Sequence, residues 1–392
     1  MRILIAPTYY RPHTSGLTIY AERLAKALVE KGHPVTVLTS QYDSALPRHE
    51  ILDGVQIIRA PVLMRVSKGV IMPTFGWLAN KLIREHDVVH MHLPQLDAAG
   101  LALRGRIHKK PTVITYHCDL RMPDGILSWV ANQGVHLMNH IAGVFAHRIV
   151  TYTQDYADHS KFINRFKIKL AVINPPVELP EITKTEIQDF KQQHNPSNNY
   201  PVIGMAARFA TEKGIEVLLT ALEKIISKYP MTVVWFAGPY ENVLGEECYI
   251  ERLMPIIKHY QQKGNWKFLG LLSPKEMACF YPNLDILTIP SLNSTEAFGL
   301  VQIEAMMNGV PSIASNLPGV RQPVIRHGMG EVIPIGDSGE LAQAAFKIFE
   351  HKNKYTQGYQ RIKEQYTPFS VAREYLKLFK EIHDEMNHSS EI

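Results

Sequence analysis

Short apolar runs alternate with helix-length segments from the first residues of this chain, and that alternation constrains the fold more than any other feature. The runs "RILIA", "PVTVLT", "VQIIRA", "DVVHMH", "TVITYH", "RIVTYT" and "KLAVIN" each have the length and apolar content of a strand. Parallel neighbours need a crossover of a dozen or more residues, so the rhythm predicts a parallel sheet with helices on both faces. After "INPPVELP" the polar, proline-bounded stretch "EITKTEIQDFKQQHNPSNNYP" interrupts it. The rhythm then restarts with "VIGMAAR", "MTVVWFAG", "WKFLG", "DILTIPS" and "PSIAS". The expected organisation is two doubly wound α/β domains in series, residues 1–175 and 201–367, with a linker region at 176–200. The helical stretch "FSVAREYLKLFKEIHDEM", about residues 368–386, is expected to cross back to the first domain.

With 392 residues and 45% hydrophobic content, the chain has material for two cores at roughly 150 residues each. Cys118, Cys248 and Cys279 are too few and too scattered for a disulfide framework or a structural zinc site, and reduced thiols are expected. The opening "MRILIAP" starts a strand with no basic leader or cleavage site, so a cytoplasmic protein is expected. The longest apolar stretch, from Gly125, is broken by Asn132, Gln133, His136, Asn139 and His140, which favours a buried helix over a lipid-spanning one. Charge is uneven. Residues 1–175 hold 21 Lys and Arg against 12 Asp and Glu, a net of +9, and the remainder holds 21 against 25, a net of −4. Such asymmetry points to an anionic partner for the first half, a membrane surface or an acidic substrate.

In an open α/β sheet, ligands bind outside the carboxyl ends of the strands. After "VIGMAA" come Arg208 and, five residues on, Lys213 at a helix entry, an arrangement suited to a pyrophosphate. After "DILTIPS" comes "STEAFGLVQIEAMMNG", residues 294–309, a loop running into a helix that starts near Gly299. Leu300, Ile303 and Met307 form one apolar stripe at i, i+3 and i+7, and Glu304 falls inside it. Desolvating a carboxylate is costly, so Glu304 requires a polar partner. Its side chain leans toward the helix N-terminus, where a ribose diol is a fitting donor.

Taken together, "RFATEKG" and "EAFGLVQIE" resemble the nucleotide-sugar site of retaining glycosyltransferases of the GT-B fold, in particular family 4 (group 1) with its E-x7-E motif. In the first domain "GLTIYAERLAKALVEKGHPVTVLT", "DVVHMH" and "TYHCD" extend the resemblance over the whole chain. It implies two Rossmann-like domains facing a central cleft, and a hexosyltransferase moving a sugar from a nucleotide diphosphate, UDP by preference, to a sugar or lipid-linked acceptor in polysaccharide or glycoconjugate synthesis. Arg208 and Lys213 would hold the diphosphate, with Gly16 and the backbone N–H groups of Leu300 and Val301. Glu304 would bind the ribose. Glu296, Ala297, Phe298 and Gly299 would grip the sugar, and His117 corresponds to the active-site histidine near the transferred sugar. His117 and Glu296 are thus the catalytic candidates. A GT-B sugar-nucleotide epimerase or a non-catalytic nucleotide-sugar binding protein would share this architecture.

His90, His92 and Asp119 fall at strand ends near His117, and three histidines near an acid also suit a metal. No D-x-D triplet occurs in the chain, and two cations with a helix start can replace a metal's charge, so no metal or other cofactor is expected. No nucleic-acid partner is expected either. The segment 62–86 mixes Leu63, Met64, Val70, Ile71, Met72, Phe75 and Trp77 with Arg65, Lys68, Lys81 and Arg84, the composition of an interfacial segment. Peripheral contact with an anionic membrane at its cytoplasmic face is the matching expectation.

Overall fold

A computed structural model describes residues 1–66, 69–120, 126–243 and 245–388. The chain forms two units, Met1–Val177 with Tyr366–Ile392, and Glu178–Gln365.

In the first unit the strands run, from one edge, Leu170–Val172, Arg148–Thr151, Thr112–Tyr116, Val88–Leu93, Ile3–Ala6, Val35–Gln41, Val55–Pro61 and His49–Leu52. All neighbours are parallel except the last pair. Ile3–Ala6 lies at the centre, buried on both faces, as its unbroken apolar run requires. The helix Gly16–Glu30 follows it. Ser15 caps this helix in a reciprocal box with Thr18, and Tyr20, Ala21, Leu24, Ala25 and Leu28 form its inward face.

The second unit is a parallel sheet in the order Trp266–Gly270, Val233–Ala237, Val202–Ala206, Ile286–Ile289, Ser312–Ser315, Gly330–Ile333. Its winding reverses between Val202–Ala206 and Ile286–Ile289. Both units are Rossmann-like, as the alternating runs predict.

Each of the twelve apolar runs contains a strand. Among the described residues four strands lie outside that reading: the antiparallel edge His49–Leu52, the hairpin Met64–Val66 with Gly69–Ile71, and the edge Gly330–Ile333. All are three or four residues long, too short to show a period. The stretch 176–200 is more than a linker, because Lys184–His194 is a helix with a Thr183–Glu186 capping box. It buries only Phe190, so its sequence shows no apolar stripe, and Asn283 Nδ2 donates to the Ile187 carbonyl at 3.1 Å. It belongs to the second unit.

The C-terminal helix Pro368–His388 packs on Gly16–Glu30 through Val371, Ala372, Tyr375, Leu378, Phe379 and Ile382. The helix Ile126–Phe145 carries buried Asn139, whose Oδ1 accepts the Gln95 N–H. Among the described residues no helix is long and apolar enough to cross a membrane.

Candidate functional site

Where the second sheet reverses its winding, a pocket opens at the strands' carboxyl ends. Lys213, Glu296, Val301, Thr288 and Ser291 line it with apolar groups from Met205 to Ala207. Lys213 Nζ lies 2.6 Å from Glu296 Oε2, and both side chains are about one-fifth exposed. Glu296 Oε1 also accepts the Gly299 N–H at 3.0 Å. Two residues 83 apart in sequence, one read as a phosphate ligand and one as a sugar ligand, therefore meet in one pocket.

Local geometry explains the meeting. Gly214 adopts φ +68°, and a Cβ there would lie 2.1 Å from the Pro290 carbonyl oxygen, so only glycine lets the two loops touch. The Leu292 N–H donates to the Glu212 carbonyl at 2.9 Å, closing the same contact. Gly299, at φ +76°, turns the second loop into the helix Leu300–Met306. Gln302, fully buried and between the two glutamates in sequence, donates from Nε2 to the carbonyls of Phe298 and Val320 and pins that turn.

The remaining predicted residues are placed differently. Arg208 pairs with the carboxylate of Glu212, four residues on, and is not among the pocket's lining residues. Ala297 and Phe298 bury their side chains, so only their main chain can meet a ligand. Leu300 starts the helix, and Val301 reaches the pocket. Glu304 is 7% exposed, and its Oε2 accepts the Tyr281 hydroxyl at 2.6 Å. The polar partner that its burial requires is supplied at least in part by the protein itself.

In the first unit, His90, His92 and His117 are buried side by side. His117 Nε2 lies 2.9 Å from His92 Nδ1, and its Nδ1 bonds the Tyr152 hydroxyl. His90 Nε2 bonds Thr115 Oγ1 at 2.7 Å, and that hydroxyl meets Tyr375 of the C-terminal helix at 2.6 Å, which in turn meets Tyr20 at 2.7 Å. Burial pushes all three imidazoles down, His92 to about 3, so the cluster is neutral near pH 7. Asp119 is not bonded to these rings; its Oδ1 accepts from Tyr116 and Ser160. Among the described residues no three His, Cys, Asp or Glu side chains are grouped to hold a metal ion. Gly16 is the first residue of its helix, and a side chain there would meet open space.

Residues 14–180 match the sequence model of Glycosyltransferase Family 4, and residues 186–365 match that of Glycosyl transferases group 1. The chain belongs to the family 4, group 1 glycosyltransferases. An uncharacterized glycosyltransferase of Methanocaldococcus jannaschii is 24% identical over 404 residues, covering 97% of this chain and 98% of its own. A phosphatidyl-myo-inositol mannosyltransferase of Mycolicibacterium smegmatis is 25% identical over 361 residues, covering 89% and 85%. Among solved structures, HepE of Anabaena in complex with UDP and glucose superposes with a TM-score of 0.77 at 19% identity, over 97% of this chain and 99% of that one. That likeness establishes the GT-B fold.

Two residues of this glycosyltransferase escaped the sequence reading. Ser291 stands two residues past the strand Ile286–Ile289, a position where strand-end ligands are expected, but an uncharged side chain stands out less in the sequence than Glu296. Tyr281 has no such signal. It lies in a short turn before that strand, and only packing brings its hydroxyl to Glu304.

Proposed function

We propose that this glycosyltransferase moves a hexose from a nucleoside-diphosphate sugar, UDP-hexose by preference, to a sugar or lipid-linked acceptor, with retention of configuration and without a metal. The observation that carries the reading is the Lys213–Glu296 pair in the pocket at the sheet's reversal. Lys213 and Arg208, each paired with a carboxylate of the protein, turn their charge to the phosphoryl oxygens of the donor. Their fixed charge then stabilises the diphosphate as it leaves, with the N–H groups of Leu300 and Val301 beside them. Glu296 and the main chain of Ala297, Phe298 and Gly299 address the sugar, and Glu304 the ribose. In the first unit Gly16 and His117 serve the transfer. His117, neutral and tied at both ring nitrogens, acts through hydrogen bonding and shape rather than charge.

Supporting the donor class, the Anabaena neighbour was solved with UDP-glucose, and the mycobacterial relative is named as a mannosyltransferase. Retention and the acceptor class rest on the family resemblance. The test is thermal stabilisation across UDP-, GDP- and ADP-sugars, followed by transfer or hydrolysis assays in EDTA. A ligand at 100 times its dissociation constant adds about 2.7 kcal/mol. Stabilisation by one nucleotide class and turnover that survives EDTA are expected. No response to any nucleotide sugar overturns the donor assignment, and loss of turnover in EDTA with rescue by manganese overturns the metal-free one.

A further inference from the structure

The pocket contains one buried hydroxyl that the protein leaves unused. Thr288 Oγ1 is spent on the Gly204 carbonyl at 3.2 Å, and Lys213 and Glu296 hold each other. Ser291 is 1% exposed, lines the same pocket, and its Oγ meets no partner among the described residues. A buried hydroxyl without a partner is costly, and of the four such Ser and Thr hydroxyls among the described residues, on Thr151, Ser291, Ser312 and Ser315, Ser291 is the one that lines this pocket. Its position is also rigidly set. Pro290 on one side is pressed against Gly214, and Leu292 on the other donates its N–H to Glu212 at 2.9 Å, so Ser291 and Lys213 are carried by one clamped pair of loops.

We propose that Ser291 Oγ donates a hydrogen bond to an oxygen of the distal phosphate of the bound nucleoside diphosphate, beside Lys213. This rests on the diphosphate reading of the pocket. The distal phosphate is the one assigned because Glu296, which faces the sugar in that reading, shares the pocket with Ser291. A donor to a charged oxygen is worth a 10- to 100-fold change in affinity, by order of magnitude.

The test measures UDP, UMP and UDP-sugar binding by calorimetry, with thermal melts, on the full chain and on Ser291→Ala, Ser291→Thr and Lys213→Ala. Ser291→Ala is expected to melt at an unchanged or higher temperature, since it removes an orphan, while UDP binding weakens about tenfold or more and UMP binding holds. Ser291→Thr, which keeps the hydroxyl, retains UDP affinity. A clear fall in the Ser291→Ala melting temperature makes the hydroxyl structural and overturns the proposal. So does equal weakening of UMP, or weakening of the UDP-sugar alone. If UDP binding is unchanged in Ser291→Ala but weakened in Lys213→Ala, the proposal fails and the pocket reading stands. If both variants bind UDP normally, the pocket reading itself fails.

Discussion

Glu304 is a carboxylate buried on a helix, and the Tyr281 hydroxyl that meets it is itself fully buried. Truncating one partner of a buried charged hydrogen bond costs about 1.5–3 kcal/mol. Tyr281→Phe should lose stability by that amount in a denaturant melt and raise donor KM with little change in kcat, because a ribose contact is equally strong in ground and transition states. The KM effect should vanish with a 2′,3′-dideoxy donor; an equal effect on both donors would show that Tyr281 does not act through Glu304 on the ribose. The histidine cluster makes a second prediction at this scale. Its folded-state values lie well below the ordinary 6.5, so the unfolded chain binds more protons than the folded one below that pH. The stability from neutral burial is present above about 6.5 and is lost as pH falls toward the folded value, about 3 for His92. Each such group contributes up to ~1.4 kcal/mol per pH unit, so urea melts at pH 7 and pH 5 should show a marked loss at pH 5. In His92→Asn the slope should be shallower, and an unchanged slope would deny the histidine its part.

At the scale of elements, the site depends on a contact between two loops more than on any helix or strand. Gly214 occupies left-handed backbone and touches Pro290, and this brings Lys213, Ser291 and Glu296 to one pocket. Gly214→Ala would place a Cβ 2.1 Å from the Pro290 oxygen, in a conformation that costs a non-glycine residue roughly 1–2 kcal/mol. The variant should therefore lose at least about 1 kcal/mol of stability and weaken nucleotide binding, since relieving the contact parts the loops. A variant with wild-type melting and wild-type UDP affinity would show that the clamp does not organise the site.

Across the whole molecule, charge is divided between the units. The first unit, with its returning helix, holds 24 Lys and Arg against 17 Asp and Glu, a net of +7, while the second holds 18 against 20. In the segment 62–86, Val70, Met72 and Phe75 turn inward, but Leu63 is 71% and Trp77 70% exposed. Arg65 is exposed beside Leu63 in sequence, and Lys68 lies outside the described residues. An anionic membrane would attract such a surface by about 1 kcal/mol for each Lys or Arg near it, an attraction that salt screens. Liposomes with anionic lipid should bind the chain at low salt and release it at moderate salt, and Arg65→Glu with Lys68→Glu should weaken binding while leaving donor affinity intact. Equal binding to neutral and anionic liposomes would assign the first unit's excess positive charge to another partner or to none.

The alternation of apolar runs, a local property, marked most strands of both sheets, because a strand buried on two faces is largely apolar along its length. Local spacing also marked Arg208, Lys213, Glu296 and Glu304, since charge beside a strand end or inside an apolar stripe stands out in one dimension. Edge strands such as His49–Leu52 and the polar helix Lys184–His194 were hidden, because half-exposed or nearly unburied elements carry little pattern. What tertiary structure alone decided is who meets whom. Tyr281 reaches Glu304 across 23 residues, Lys213 reaches Glu296 across 83, and Tyr375 reaches Thr115 across 260. None of these pairings has a sequence period, because a buried polar group specifies only that some partner must exist, and the packing of the sheets selects which one.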